Sequence, residues 1–233
     1  DVKNPTCLLS LFKNRNPNSN FNIREQNDSH EFLNILIDNL DEEFYKLKNI
    51  IPLETEIKKS NYSSILSDLL NIHYDIKVSN SKDKEFDEIK EKNNFLYLHL
   101  SEDQNKENIQ ELINKIINNE SIKSDDSEFK KELKISKTSK YVMCYLTRFS
   151  GMSKNNKPIE ITNIIEINDK IYEVVSIISH SGSISGGHYI NYSKRLGEWY
   201  LFNDSSVNKM SEIDVLNNVS NGSAYIILYK LIE

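Results

Sequence analysis

A histidine stands at each end of a segment rich in glycine and serine, and these residue types can do chemistry. His180 and His188 enclose the segment, and Gly186 and Gly187 directly precede His188. Glycine lets a backbone approach a neighbour closely, so such a loop can form the wall of a narrow slot. The apolar residues after His188 predict that it is the first residue of a strand, which would hold its imidazole rigidly. A general base needs that placement.

An amide and a carboxylate follow at a spacing that suits a hairpin. Asn203 and Asp204 come after the aromatic run 199–202, which we expect to pair antiparallel with the strand that starts at His188. This pairing would make His188 and Asn203 direct neighbours. An amide oxygen that accepts from one imidazole nitrogen leaves the other nitrogen free to deprotonate a thiol. Taken alone, however, the pair favours a satisfied structural histidine, because such matches also arise by chance.

The clearest helix runs from Asp28 to about Leu47. Apolar residues recur there in steps of three and four, which places on one helix face Phe32, Ile35, Leu36, Leu40, Phe44 and Leu47. Asp28 or Ser29 can cap the start, and Glu31 sits in the first turn, where the helix dipole favours an anion. Capping and the dipole explain both acids without any ligand.

The remaining elements predict an α+β class. We expect a second helix near 108–118, a short helix at 63–70, and strands at 72–78, 95–100, 141–149, 171–179, 188–193, 199–202 and 224–231. The polar stretches 79–94 and 120–138 are interpreted as exposed connections. Helices that precede short strands favour an antiparallel sheet and one domain over residues 1–233.

Composition excludes several classes of function. The chain has 29 basic and 35 acidic residues, a net charge of -6 and no basic stripe, so we expect no nucleic-acid partner. No apolar run is long enough to span a bilayer, and the first residues lack the pattern of a signal peptide. We therefore expect no membrane partner and an intracellular protein, cytoplasmic or nuclear.

Longer strings resemble the ubiquitin-specific proteases, a family of papain-like cysteine proteases. Three ordered strings carry the resemblance. The histidine box is matched by Tyr172, His180-Ser181-Gly182, Gly187-His188-Tyr189 and Trp199-Tyr200-Leu201-Phe202-Asn203-Asp204-Ser205-Ser206-Val207. The glutamine box is matched by Gln26-Asn27-Asp28-Ser29-His30-Glu31-Phe32-Leu33, and a family strand by Tyr145-Leu146-Thr147-Arg148-Phe149. The resemblance extends from Asn4 to Tyr229.

The resemblance implies a papain-like fold with an antiparallel β palm, packed helices and reduced fingers. It implies a deubiquitinase that hydrolyses ubiquitin C-terminal peptide and isopeptide bonds, with ubiquitin and ubiquitinated proteins as partners. The implied catalytic residues are His188 as base, Asn203 as the group that orients its ring, and Asp204 as a supporting acceptor. The residues implied to hold the ubiquitin tail are Gln26, Asp28, Glu31, His180, Gly186, Gly187 and Tyr189.

The family's cysteine box has no match in this chain. Cys7 lies only 19 residues before Gln26, too close to leave room for the helical thumb, and we expect it to be a buried helix cysteine. Cys144 alternates within a strand and is expected in the core. We therefore expect a largely missing thumb and a nucleophile upstream of Asp1. The alternatives are a catalytically inactive pseudo-deubiquitinase that binds ubiquitin or acts as a scaffold, and a papain-like hydrolase with another substrate.

No metal or cofactor is expected. The zinc-binding fingers of many family members need two Cys-x-x-Cys pairs, which two cysteines cannot supply. His73 and His99 are isolated in sequence and are interpreted as surface or core residues. If fingers exist, packing alone must hold them.

Overall fold

The structure is a computed structural model that describes residues 6–17, 25–50, 65–80, 86–102, 105–117, 129–151 and 153–232. Five helices lie in these ranges: α1 Thr6–Arg15, α2 Ser29–Ile50, α3 Ile65–Leu70, α4 Ile109–Ile117 and α5 Glu212–Val219. The strands up to the middle of the chain are β1 Ile72–Asn80, β2 Phe86–Asn93, β3 Phe95–Leu98, β4 Glu107–Asn108, β5 Phe129–Lys137, β6 Tyr141–Leu146, β7 Phe149–Ser150 and β8 Ser153–Lys154. The later strands are β9 Ile159–Glu160, β10 Ile164–Ile167, β11 Lys170–Ser183, β12 Gly186–Arg195, β13 Glu198–Asn203, β14 Ser206–Met210 and β15 Ala224–Leu231. Among the described helices, none is long and apolar enough to cross a bilayer.

An eight-stranded sheet forms the centre of the protein. Its strand order is β14-β13-β12-β11-β15-β6-β3, and β10 pairs with the start of β11. All neighbours are antiparallel except β3 and β6, which are parallel. The class is therefore α+β with an antiparallel-rich sheet, as the sequence predicts.

The middle of this sheet is buried on both faces, as β6 illustrates. Val142, Cys144 and Leu146 face the larger core cluster, which also takes in the apolar sides of α4 and α5. Met143 lies between them in sequence and faces a second cluster that includes Ile37 of α2. Successive side chains of a strand point to opposite faces, so a strand buried on both sides is apolar throughout.

A separate three-stranded sheet, in the order β2-β1-β5, stands where the sequence predicted exposed connections at 79–94 and 120–138. That prediction is wrong because the strands carry many charged residues, which hide the alternation of their few apolar residues. The buried face holds Ile72, Tyr74, Ile76 and Ile135, and the other face carries charges that pair across the strands. Lys77 lies between Glu88 and Glu132 in register, and its Nζ is 3.3 Å from Glu88 Oε1. This ion pair is exposed, so packing of the buried face contributes most to holding the sheet.

A buried arginine joins the end of β6 to the last strand. Arg148 is fully buried and donates from Nε to the Ala224 carbonyl and from Nη1 to the carbonyls of Asn155 and Lys157. Burial lowers the pKa of Arg148 to about 10. Three backbone carbonyls from two parts of the chain therefore converge on one side chain, which fixes the segment that leads to the candidate site.

The two cysteines differ in what the structure describes. Cys144 is buried as predicted, and burial raises the pKa of its thiol well above the ordinary value. Cys7 belongs to α1, but its side chain lies outside the described part of the structure. Its expected burial stays a prediction.

The central strand β11 allows a matched test of the core. Replacing fully buried Ile177 by Ala should lower the free energy of unfolding by about 2–5 kcal/mol, because a cavity replaces packed atoms. The Ile171→Ala control lies on the same strand with half of its surface exposed, and should cost under about 1 kcal/mol. Urea denaturation measures both, and equal losses would contradict the assigned core.

Candidate active site

His188 and Asn203 meet at the open end of the sheet. His188 Nε2 lies 2.7 Å from Asn203 Oδ1. The paired register of β12 and β13 ends at Asn191 and Phe202, so Asn203 is opposite Ile190 when the pairing is continued. His188 is two residues from Ile190, on the same side of the strand, and reaches Asn203 diagonally. The predicted proximity is confirmed, although the two residues lie diagonally across the strands and not directly opposite each other.

This contact fixes the imidazole tautomer. An amide oxygen only accepts, so the Nε2–H of His188 donates to Asn203 Oδ1. The lone pair is then on Nδ1, which is the nitrogen that can take a proton from a thiol. Half of the His188 side chain is exposed, which leaves the ring open to a reactant.

Asp204 stands just beyond this pair. Its Oδ2 is 3.8 Å from His188 Nε2, and the side chain is 80% exposed. Asp204 occupies the two-residue turn between β13 and β14 with a φ of 50°, in the left-handed region that Asp tolerates better than most residues. A carboxylate so exposed interacts weakly with a neutral ring and more strongly with the imidazolium.

The glycine-rich segment is a tight hairpin and not the loop that the sequence predicted. Ser181 pairs with His188 and Gly182 with Gly187, which leaves a turn at 184–185. Gly182 has a φ of 124°, where side chains are strained, and a Cβ at Gly187 would collide with the ring of His180 and the carbonyl of Ser181. Glycine is thus required by close approach, and the hairpin is stiffer than a loop.

Two side chains hold this hairpin from outside. Gly187 N donates to Gln26 Oε1 over 2.9 Å, which ties the hairpin to the segment before α2. On the other side, Lys154 Nζ donates to the carbonyls of His180 and Gly182 at 2.8 and 3.4 Å. Sequence reasoning named Gln26 but missed Lys154, because nothing in its local sequence predicts a contact across 26 residues.

Asp28 is confirmed as the cap of α2. Its Oδ1 accepts from the backbone N–H of His30 at 2.7 Å and of Glu31 at 3.1 Å, as an N-cap carboxylate does. Its Oδ2 accepts from the hydroxyls of Tyr225 and Tyr189. The helix start is therefore fastened to two strands of the sheet.

A groove of about 600 Å³ brings most of these residues together. Its lining is Gln26, Asn27, Asp28, Tyr145, Phe149, His180, Ser183, Ile184, Ser185, Gly186, Gly187, His188, Tyr189, Asp204 and Tyr225. Two of the predicted site residues lie outside the lining: Glu31 is exposed on the first turn of α2, and Asn203 contacts the groove only through His188. Sequence reasoning missed the aromatic floor made by Tyr145, Phe149 and Tyr225, although segments that resemble the family contain all three.

His180 contributes a buried ring and no free charge. Only 3% of its surface is exposed, and it packs against Tyr189 and Phe149 with centroid distances of 4.5 and 5.4 Å. Burial, and then the nearby Lys154 ammonium, lowers its pKa. The ring is therefore neutral at neutral pH and serves as an apolar wall of the groove.

Within the described residues, no group of three or more His, Cys, Asp or Glu side chains is arranged to hold a metal ion. Isolated His73 and His99 lie on β1 and just after β3, and His99 Nδ1 is 3.2 Å from Thr147 Oγ1.

The sequence of the chain is similar to those of known proteins. The family model for ubiquitin carboxyl-terminal hydrolase matches residues 2–229. Ubiquitin carboxyl-terminal hydrolase 8 of Saccharomyces cerevisiae is 39% identical over 67 residues, which are 28% of this chain and 13% of that protein. Ubiquitin carboxyl-terminal hydrolase 2 of Gallus gallus is 31% identical over 116 residues, 43% of this chain and 31% of that protein. The matched segments thus span a minor part of these relatives.

Solved structures share the fold. The chain is similar to one in the SAGA Ubp8/Sgf11/Sus1/Sgf73 DUB module bound to ubiquitin aldehyde, with a TM-score of 0.76 and 22% identity, over 98% of this chain and 54% of that chain. The Ubp8-Sgf11-Sgf73-Sus1 SAGA DUB module gives a TM-score of 0.74, also at 22% identity, over 100% of this chain and 53% of that chain. The chain spans about half the length of these neighbours. The likeness supports the predicted papain-like fold.

Buried His180 and partly buried His30 predict a dependence of stability on pH. Burial lowers the pKa of His180 and His30 below the ordinary 6.5, so the unfolded chain binds protons that the folded chain resists. The free energy of unfolding should therefore fall as the pH drops below 6.5 and continue to fall until the folded rings protonate. A His180→Phe variant keeps the ring contacts and should show a shallower decline in urea denaturation at a series of pH values. Parallel curves for the two proteins would contradict this account.

Proposed function

The chain belongs to the ubiquitin carboxyl-terminal hydrolase family, and from that premise we propose that it is the histidine-bearing part of a deubiquitinase. The parent protein hydrolyses the peptide or isopeptide bond that follows the C-terminal glycine of ubiquitin, with a cysteine thiol as nucleophile. The observation that carries the proposal is the 2.7 Å contact between His188 Nε2 and Asn203 Oδ1 beside an open groove.

The reaction follows from this geometry. His188 Nδ1 takes the proton of the thiol, and Asn203 holds the ring in the tautomer that makes Nδ1 the base. The thiolate attacks the carbonyl carbon of the terminal glycine, and the imidazolium returns the proton to the leaving amine. Water then attacks the thioester with His188 as base, which releases ubiquitin and restores the thiol. Asp204 stabilises the imidazolium through its charge.

The nucleophile of this proposal comes from a segment upstream of residue 1 in the parent protein. Cys144 is unsuited to the role, because it is fully buried and the pKa of its thiol is raised. The position of Cys7 before the glutamine box is also unlike that of the family's nucleophile. A thiolate is needed within reach of His188 Nδ1.

Ubiquitin is the proposed partner, with its extended tail in the groove. The lining combines the hairpin residues Gly186, Gly187 and Tyr189 with Gln26 and Asp28, which hydrogen-bond to Gly187 and Tyr189. Two glycines leave room for a tail whose last residues are small, and His180 supplies an apolar surface. The carboxylates of Asp28 and Glu31 attract a basic tail. A solved neighbour bound to ubiquitin aldehyde supports this choice of ligand.

Ubiquitin binding without hydrolysis is the second candidate. It is favoured by the burial of Cys144, the one cysteine whose side chain the structure describes. A pseudo-deubiquitinase keeps the same groove and acts as a ubiquitin-binding or scaffold module. The two candidates differ in reaction with an electrophile and not in binding.

Substitutions in the parent protein test the proposed catalytic roles. His188→Ala should lower kcat/KM for a fluorogenic ubiquitin C-terminal amide by about 10²–10⁴-fold, because the general base is lost. Asn203→Ala should cause a smaller loss, and the Asn208→Ala control on exposed β14 should cause none.

Two outcomes would contradict the proposed enzymatic activity. Full activity in the His188→Ala variant would remove His188 from the mechanism. Absence of hydrolysis, together with no adduct between the wild-type parent protein and ubiquitin vinyl sulfone, would assign the pseudo-deubiquitinase instead.

Binding of monoubiquitin to the chain tests the role of the acidic start of α2. Glu31→Gln should weaken the affinity by roughly threefold at low salt, since an exposed charge contributes well under 2 kcal/mol. Glu42→Gln is the matched control, because Glu42 is exposed on the same helix but about three turns away. Isothermal titration calorimetry compares them, and equal effects would argue against tail binding at the start of α2.

A further inference from the structure

Asp28 uses every acceptor site of its carboxylate. Oδ1 accepts from two backbone N–H groups, those of His30 and Glu31, and Oδ2 accepts from Tyr225 Oη at 2.6 Å and Tyr189 Oη at 3.3 Å. A carboxylate offers about four lone-pair sites, so four donors saturate it. A cap alone needs only Oδ1. The arrangement on Oδ2 therefore requires another explanation.

The donors to Oδ2 come from different strands of the central sheet. Tyr189 belongs to β12 and Tyr225 to β15, and both strands pair with β11 between them. Tyr145 of β6 extends the set, since its hydroxyl is 3.2 Å from that of Tyr225. Its ring also stacks on His30 of α2 at 3.9 Å. The start of α2 is thus bound to three strands at the level of the groove.

The two tyrosine hydroxyls remain donors. Burial, and then the charge of Asp28, raises the pKa of Tyr189 well above its ordinary value. Burial and the hydrogen bond to Asp28 do the same for Tyr225. Both hydroxyls therefore stay protonated at neutral pH and can donate to Asp28. Hydrogen bonds to a charged acceptor are stronger than neutral ones.

Tyr189 directly follows His188 on β12, so a restraint on Tyr189 restrains the backbone that carries the imidazole. We propose that Asp28 is a positioning residue for His188: through Tyr189 it sets the place of the imidazole against the helix side of the groove. The inference rests on the proposed function, because positioning matters only if His188 acts as a base. The positioning role is additional to the attraction of a basic tail by Asp28. The four hydrogen bonds occupy the lone pairs of the carboxylate, but its negative charge remains.

Two variants separate positioning from tail binding in the parent protein. Tyr189→Phe keeps the Asp28 charge and the ring that lines the groove, and should lower kcat about tenfold while KM changes less than about threefold. Asp28→Ser keeps the cap, because Ser is a good N-cap, but loses the bonds to both tyrosines. Asp28→Ser should lower kcat about 10–100-fold and also raise KM.

The matched control removes a cap elsewhere. Ser211 caps α5 by accepting from Asp214 N at 3.1 Å, and Ser211→Ala should lower stability without lowering kcat. Unchanged kcat in Tyr189→Phe, or an effect of Asp28→Ser on KM alone, would overturn the positioning role. A loss of kcat in Ser211→Ala equal to that in Tyr189→Phe would overturn it as well, because general destabilisation would then explain both.

A second readout does not need hydrolysis, so it separates failure of this inference from failure of the proposed function. The ¹⁵N chemical shifts of the His188 ring in the 233-residue chain report its tautomer above the titration range of histidine. The wild-type ring should be protonated at Nε2, as the bond to Asn203 requires. In Tyr189→Phe and Asp28→Ser the shifts should move toward a mixture of tautomers. Shifts identical to the wild type in both variants would overturn the inference even if the parent protein is active.

Discussion

The hydrogen bond from His188 Nε2 to Asn203 Oδ1 exists only in one register of β12 and β13. A slip by one residue would turn Asn203 to the other face of the sheet and leave the imidazole without its acceptor. The register is itself enforced by the core, because the same two strands bury Tyr192 and Trp199 in the main cluster. The contact between His188 and Asn203 thus depends on the packing of Tyr192 and Trp199 farther along the same two strands.

The second constraint is the junction between α2 and the sheet. A helix start leaves N–H groups without partners, and Asp28 satisfies two of them while it accepts from two tyrosines. One side chain therefore joins local helix capping to the tertiary arrangement of the groove. Gln26 adds a bond from the same segment to Gly187 of the glycine hairpin. The groove is held by hydrogen bonds at its walls and by aromatic rings at its floor.

The sequence was sufficient where periodicity or a long string carried the signal. The apolar steps of α2 and the pairing of His188 with Asn203 could be predicted because each depends on neighbours near in sequence. The charged strands β2 and β5 could not, since their few apolar residues stand among many charged ones and give only a short alternating pattern. The same holds for Lys154 and Tyr225, whose contacts with the hairpin and with Asp28 arise only when distant segments are packed together. The glycine hairpin was expected to be a loop because four serines and three glycines hide a continuous ladder.

A crystal structure of the chain with monoubiquitin would test the central claim most directly. The account predicts the extended tail in the groove beside the glycine hairpin and the start of α2, with its terminal carboxylate beside His188 and with the His188–Asn203 bond intact. A tail bound elsewhere on the protein, or an imidazole turned away from Asn203 with the tail in place, would contradict it.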